Sequence, residues 1–425
     1  MSEILSPAHA AALDAADPLR SLRDHFLIPQ HQGSDQLYFV GNSLGLQPKG
    51  AQAMVQEVMD LWARIAVEGH FTGPTHWMNY HRLVRDSLAS VVGAQPGEVV
   101  AMNTLSVNLH LMMVSFYRPT RERPAILIEA GAFPTDRHAV EAQIRFHGFN
   151  PDTDLIEVQP DEPNGTISMA AIEQAIAEHG KRLALVLWPG LQYRTGQVFD
   201  LAAITRLARA QGANVGFDLA HSVGNVPLAL HEAAPDFAVW CHYKYLNAGP
   251  GAVAGAFVHE RHARDTSLPR FAGWWGHEQA TRFQMAPEFV PEVGAEGWQL
   301  SNPPVLGLAP LRASLALVEQ AGGMEVLRAK SLQLTGYLET LVRARLEHVL
   351  QIITPAEPER RGCQLSLRVN GGRAQGRALF EHLQSVGVLG DWREPDVIRI
   401  APTPLYNRYG DVLRFVDEVE AWAKR

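Results

Sequence analysis

The chain has 425 residues and only two cysteines, so no disulfide framework can stand in for a hydrophobic core. Apolar residues make up 46% and charged residues 19%, ordinary globular usage that excludes a disordered or low-complexity chain. Thirty-seven basic against 45 acidic residues leave a net charge of -8, which argues against nucleic acid or an anionic membrane surface and makes small molecules the default ligand. No stretch approaches the roughly 18 to 20 consecutive apolar residues of a spanning helix, and the opening MSEILSPAHAAALDAADPLRSLRDHF lacks a basic region followed by an apolar block. A cytoplasmic protein is expected.

In chain order, the first element is a loop, Gly41 to Gly45, ahead of a helix through MVQEVMDLWARIA with Pro48 in its first turn. GNSLG matches the G-x-S-x-G nucleophile elbow and lies between the apolar run LYFV and a helix start. An α/β-hydrolase builds several strands before its elbow, whereas only 36 residues precede LYFV here. A glycine-rich, ligand-facing loop is therefore the better reading, with a Ser43 esterase as the lesser alternative. Next comes a strand-like VVAMN, then a helix opening near Leu105 and Ser106, where free N–H groups can hold a phosphate. A plain N-cap role for Ser106 is an almost equal alternative.

From about 95 to 260 short apolar runs alternate with amphipathic stretches. The runs are AILIEA (125 to 130), LIEVQ (155 to 159), LALVLW (183 to 188), NVGFD (214 to 218), FAVWC (237 to 241) and AVAGAFV (252 to 258). Such runs read as parallel strands buried on both faces by crossover helices, two of which run from Ser168 to Gly180 and from Asp200 to Gly212. Phe133, just past AILIEA, can stack on an aromatic ligand, although alone it reads as a core aromatic. After SNPP (301 to 304), a helical pattern over 306 to 346, CQLSLRV, a helix near 374 to 386 and VIRIAP form a small α+β unit. The expected division is an N-terminal segment, 1–47, packing with the small domain, a large domain, 48–305, and a small C-terminal domain, 306–425. Sequences HEAAP (231 to 235) and HEQAT (277 to 281) begin like a zinc-protease motif but lack its second histidine, and no metal is expected. Glycines 249, 251 and 255 enter an apolar run instead of opening a helix, unlike a dinucleotide fingerprint.

The informative pair is Asp218, ending NVGFD, and Lys244, 26 residues later and just past FAVWC. Pyridoxal phosphate needs both: an amine to condense with its aldehyde, and a carboxylate to keep its pyridine nitrogen protonated so that the ring accepts electrons. Adjacent strand ends on one sheet edge can place both groups around one ring. Singly, Asp218 reads as a turn cap and Lys244 as a solvated charge; together they favour the cofactor.

The segments YFVGNSLGLQPK (38 to 49), NLHLMM (108 to 113), AFPTD (132 to 136), VGFDLAHSVGN (215 to 225), WCHYKYLNAGPG (240 to 251), GWWGHE (273 to 278), SNPP (301 to 304), RGCQLS (361 to 366) and IRIAPTPLYN (398 to 407) make the chain similar to the kynureninase family. These are fold-type I pyridoxal 5'-phosphate enzymes of the class V aminotransferase superfamily, with a mainly parallel central sheet and a small α+β domain. The resemblance implies hydrolysis of L-kynurenine, or of 3-hydroxykynurenine, to anthranilate or 3-hydroxyanthranilate and L-alanine, in tryptophan catabolism and NAD biosynthesis, by a homodimer. It implies Lys244, Tyr243 and Asp218 as catalytic residues, with Leu105, Ser106, Phe133, Pro134, Thr135, Asp136, His221, Trp274 and Asn302 also at the cofactor. Arg399, Asn302, His277 and Ser43 would meet the substrate. Pro189 departs from the small hydroxyl residue expected after LALVLW. Within the superfamily a cysteine desulfurase is the competing activity, because Cys363 lies 119 residues after Lys244, but CQLSLRV alternates like a half-buried strand and a persulfide carrier needs an exposed thiolate. A non-catalytic binding or regulatory protein is a third reading, disfavoured by the intact Asp218 and Lys244.

Overall fold

Strands form where apolar residues run without alternation, and helices where they recur on one face. The computed structural model describes residues 4–425. Its principal elements are α1 Pro7–Ala16, α2 Lys49–Ile65, β1 Val99–Met102, α3 Leu105–Phe116, β2 Ala125–Glu129, α4 Pro134–Phe146, β3 Leu155–Val158, α5 Met169–His179, β4 Leu183–Pro189, α6 Leu201–Ala210, β5 Asn214–Asp218, β6 Phe237–Cys241 and β7 Ala254–Val258. They continue with α7 Val305–Gln320, α8 Met324–Arg345, β8 Leu350–Ile352, β9 Leu365–Val369, α9 Gly372–Ser385, β10 Asp391–Arg393, β11 Val397–Ile400 and α10 Tyr409–Ala423.

The first seven strands form one sheet in the order β1-β7-β6-β5-β4-β2-β3. Every residue of β1, β2, β6 and β7 is buried, which is why these strands lack an alternating pattern. Strands β2 to β6 pair in parallel. Strand β7, expected to be parallel, runs antiparallel to both β6 and β1. The link from β6 to β7 holds no crossover helix, so the chain reverses directly. The two expected helix starts are capped as the sequence indicates, Ser168 Oγ accepting from Ala171 N at 3.1 Å and Asp200 Oδ1 from Ala203 N at 2.9 Å. Pro48 is the residue before the first turn of α2, not a member of it.

The helical pattern over 306 to 346 is two helices, broken where Gly322 and Gly323 take φ of +91° and +90°, a left-handed backbone that side chains disfavour. This break does not separate the domains. Leu308, Leu311, Leu315 and Leu327 pack in the large core with Trp188, Phe217 and Trp240, whereas Leu334, Leu338 and Leu341 pack in the small core with Leu365, Ile398, Val412 and Val416. The two apolar clusters part inside α8, between Leu327 and Leu334, and α7 packs against α2. The N-terminal segment also divides: Ala10, Leu37 and Phe39 join the small core, but Leu19, Leu22, Phe26 and Leu46 join the large one.

The small domain is a four-stranded antiparallel sheet, β8-β9-β11-β10, covered by helices. It is joined to the large domain by the loop at 41–45, where Gly45 N donates to Tyr243 O at 2.8 Å. A Cβ on Gly45 would collide with the Lys244 carbonyl oxygen and Asn247 Oδ1. Gly45→Ala should consequently lower the free energy of unfolding by about 1 to 3 kcal/mol, read as a shift of the urea midpoint; an unchanged midpoint would show that the loop can retreat without loss.

Candidate active site

Because β1, β2, β4, β5 and β6 point the same way, their carboxyl ends share one edge of the sheet, where an open α/β fold places its ligands. Glu129 ends β2, Pro189 ends β4 and Asp218 ends β5. The chain leaving β6 turns through Tyr243 and Lys244, and α3 opens at Leu105 just beyond β1. Together they surround a small cavity. Nine expected residues line it: Leu105, Ser106, Phe133, Thr135, Asp136, Asp218, His221, Tyr243 and Lys244. Pro134 is the first residue of α4 and does not line the cavity.

The charges are arranged around Lys244. Its Nζ lies 2.9 Å from His221 Nε2. Burial lowers the Lys244 pKa and holds His221 well below the usual imidazole range, a shift reinforced by the Lys244 charge. His221 is therefore a neutral acceptor for the amine, and its buried Nδ1 has no partner. Asp218 Oδ1 accepts from Ala220 N at 2.7 Å. Burial raises the Asp218 pKa, but this N–H and Lys244 oppose the rise. Asp136 is pushed up further, by burial and then by the Asp218 charge, so it keeps its proton and donates it to Asp218.

Glu129 is a third carboxyl in this cavity, with its pKa pushed up to about 8 by burial. Gln192 Nε2 donates to its Oε1 at 3.3 Å and its Oε2 has no partner. Three buried carboxyls thus face one amine, and at Asp218 a backbone N–H, Lys244 and Asp136 all favour the charged form. The Tyr243 hydroxyl, hydrogen-bonded to Cys241 and raised by burial, stays protonated at neutral pH. Lys244 Nζ stands 5.9 Å from the ring centres of both Tyr243 and Phe133.

Thr104, not Ser106, is the N-cap of α3, and its side chain makes no capping bond. The helix start keeps its N–H donors for a ligand, with the Ser106 hydroxyl beside them. Arg399 lies wholly buried on β11; its Nη1 donates to the carbonyl of Tyr193, a cavity residue, at 2.8 Å, and its Nη2 pairs with Asp391.

Besides Pro134 and Arg399, four more expected residues do not line the cavity. Trp274 is 44% exposed and its Nε1 donates to Arg282 O. Asn302 is exposed. His277 is closed into its own loop, Nε2 on Thr281 Oγ1 at 3.0 Å and Nδ1 accepting from Val290 N. Ser43 sits in a turn behind the Tyr243–Lys244 backbone, and no imidazole bonds its hydroxyl among the described residues. The nucleophile-elbow reading fails on that ground. Cys363 is buried, with its thiol pushed up to about 12 by burial, so it cannot serve as an exposed thiolate nucleophile. His231 of HEAAP meets Glu98 and His259, the one group of three possible metal ligands among the described residues, but His259 Nδ1 already accepts from Arg261 N.

Sequence reading missed Glu129, Leu191, Tyr193 and Ala220 as cavity residues. Glu129 could have been found by the argument used for Asp218, an acid closing a buried strand. Tyr193 could not, since it comes from an irregular turn. Pro189 lines the cavity as the register partner of Asp218 and offers neither hydroxyl nor N–H.

A paired amine and carboxylate, a flanking aromatic, a helix start with free donors and buried orphan atoms on His221, Asp136 and Glu129 fit pyridoxal phosphate. Fold and site define a fold-type I pyridoxal phosphate enzyme of the class V aminotransferase superfamily. In fold the chain resembles the cysteine desulfurase CsdA from Escherichia coli, with a TM-score of 0.76 at 15% identity over 96% of this chain and 98% of that one. Residues 327–419 match the kynureninase C-terminal domain model. Over 423 residues, 100% of both chains, the sequence is 79% identical to a protein named kynureninase from Stenotrophomonas maltophilia (strain K279a) and 76% identical to one from Xanthomonas euvesicatoria pv. vesicatoria (strain 85-10). The chain belongs to the kynureninase family.

An acid whose pKa is raised by folding binds its proton more tightly folded than unfolded, so its contribution to stability falls as pH rises from about 4.5 to about 8. Glu129→Gln keeps the acceptor for Gln192 and removes that loss. The variant should match wild type at pH 5 and exceed it at pH 9 by about 1 to 3 kcal/mol, measured by urea unfolding of cofactor-free protein; equal stabilities at pH 9 would mean Glu129 ionises freely.

Proposed function

We propose that this chain hydrolyses the Cβ–Cγ bond of L-kynurenine, giving anthranilate and L-alanine, with pyridoxal 5'-phosphate as cofactor. The observation that carries the reading is the 79% full-length identity to a protein named kynureninase, with the Asp218 and Lys244 pair intact at the cavity. When bound, pyridoxal phosphate supplies an electron sink that stabilises negative charge on the substrate carbons.

This chain's residues do the rest. Lys244 would hold the cofactor covalently; its amine, whose pKa burial lowers, would take the Cα proton of the substrate. His221, neutral and 2.9 Å away, accepts from that amine and fixes its direction. Asp218 carries the negative charge that holds a pyridine nitrogen protonated, while Asp136 keeps its own proton and props the Asp218 carboxylate. Water attack at the γ-carbonyl expels a carbanion at Cβ. Tyr243, which retains its proton, is positioned beside Lys244 to protonate that carbon. The Leu105–Ser106 helix start takes the cofactor phosphate and Phe133 the ring face. Arg399 takes the substrate α-carboxylate with a planar fork.

The exposure of Trp274 and Asn302 supports a homodimer in which each chain closes the other's cavity, with both residues against the cofactor and the aryl ring. Among the described residues no helix is long and apolar enough to cross a membrane, and we assign the enzyme to the cytoplasm. His277, bonded to Thr281 and Val290, would reach substrate only through a rearrangement of its loop, and we keep Ser43 as a substrate contact from the glycine-rich loop.

Lys244→Ala should abolish anthranilate fluorescence on mixing with L-kynurenine and remove the borohydride-reducible attachment of the cofactor, with the circular dichroism spectrum unchanged; retained turnover or attachment would overturn the lysine assignment. In a second measurement, mixing inactive Lys244→Ala with Asn302→Ala subunits should restore one wild-type site per heterodimer if Asn302 acts across the interface. Asn302→Ala alone should cost about 1 to 3 kcal/mol in kcat/KM, and His277→Phe should change the ratio between kynurenine and its 3-hydroxy analogue. A monomer in sedimentation, or failure of the mixture to recover, would exclude the shared site.

A further inference from the structure

Arg399 does not stand alone. It lies directly opposite Asp391 in the β10/β11 register, and Arg393, two residues on, shares the face of β10 that carries Asp391. Asp391 Oδ2 accepts from both guanidinium groups, from Arg399 Nη2 and from Arg393 Nη2 at 3.0 Å. The nearby carboxylate of Asp396 is taken by Arg194 at 3.0 Å and Arg368 at 2.9 Å, so Asp391 alone serves this pair. Side-chain exposure grades outward, 0% at Arg399, 11% at Asp391 and 33% at Arg393. Both cationic side chains reach the cavity electrically, since each depresses His221.

The arithmetic of this triad decides its chemistry. A buried Arg399–Asp391 pair by itself is neutral, and a neutral pair has little electrostatic attraction for a carboxylate. Arg393 engages the same carboxylate oxygen, and the three groups together carry one net positive charge. Arg399 spends two of its five N–H donors on Tyr193 O and Asp391, and its buried Nε has no partner. Arg399 therefore keeps N–H donors that could meet a planar carboxylate.

We propose that Arg393 is a specificity-determining positioning residue: acting through Asp391, it leaves Arg399 both fixed in orientation and uncompensated by one charge, so that the site accepts a substrate bearing one α-carboxylate. This rests on the reading of Arg399 as the carboxylate-binding group. Arg393 itself need not touch substrate, cofactor or any reacting atom.

The test is a charge-balance series on the holoenzyme with L-kynurenine. Arg393→Gln makes the triad neutral and should raise KM by about tenfold or more, with kcat within about threefold. Arg393→Lys keeps the charge and should stay close to wild type. The double variant Asp391→Asn/Arg393→Gln restores one net positive charge on Arg399 and should recover most of the lost KM, which a merely structural role for Arg393 would not produce. Where the glutamine variant is poorly folded by circular dichroism, Arg393→Met, with its aliphatic stem, replaces it. A KM for Arg393→Gln within twofold of wild type, or a double variant no better than the single, overturns the proposal. Arg399→Ala run in parallel separates the two readings: unchanged kcat/KM there defeats the carboxylate assignment of Arg399 itself, whereas a large loss there with a silent Arg393→Gln defeats only the role of Arg393.

Discussion

The structure depends on one constraint, the burial of an amine among carboxyls at the open edge of a sheet. Among the described residues Lys244 is the one lysine or arginine lining the cavity, and the buried Glu129, Asp136 and Asp218 line it too. Low polarity makes each extra charge expensive, so burial raises the pKa of all three carboxyls and lowers those of the imidazole and the amine, with the Ala220 N–H and Lys244 opposing the rise at Asp218.

The sheet supplies the geometry for that act. Parallel strands deliver their carboxyl ends to one edge, and the antiparallel turn into β7 brings Lys244 back over the cavity instead of sending it into a crossover helix. Behind the lysine, the 41–45 loop is pressed so tightly against the Tyr243–Lys244 backbone that no side chain fits at Gly45. The same loop ties the small domain to the large one through the buried Asn42, whose Nδ2 donates to Gln364 Oε1 at 2.8 Å. Position of the amine and position of the small domain are in this way set together, and with the small domain comes Arg399.

Shared architecture with a cysteine desulfurase at 15% identity illustrates how little the fold alone says about the reaction. The difference lies in particular side chains. Cys363 is packed beneath Tyr245 and Ala401, where a thiolate is disfavoured. Around the same edge, Tyr243 stands beside the lysine and Arg399 bonds the carbonyl of Tyr193.

Much of this was legible in the chain. Unalternating apolar runs marked the buried strands, Ser168 and Asp200 marked helix starts, and the Asp218 and Lys244 pair marked the cofactor edge, because burial on both faces, capping and covalent chemistry each restrict residue type at a fixed place. Other features have no such local signature. The direction of β7, the parting of the cores within α8, the contribution of Tyr193 from an irregular turn, and the sharing of Asp391 by two arginines arise from segments far apart in sequence meeting in space. His277 shows the converse: a motif that suggested a ligand is bonded to nearby backbone and hydroxyl partners. Sequence by itself determined which residue types could do the chemistry; only tertiary packing decided which of them lose their water, and with it their ordinary charge.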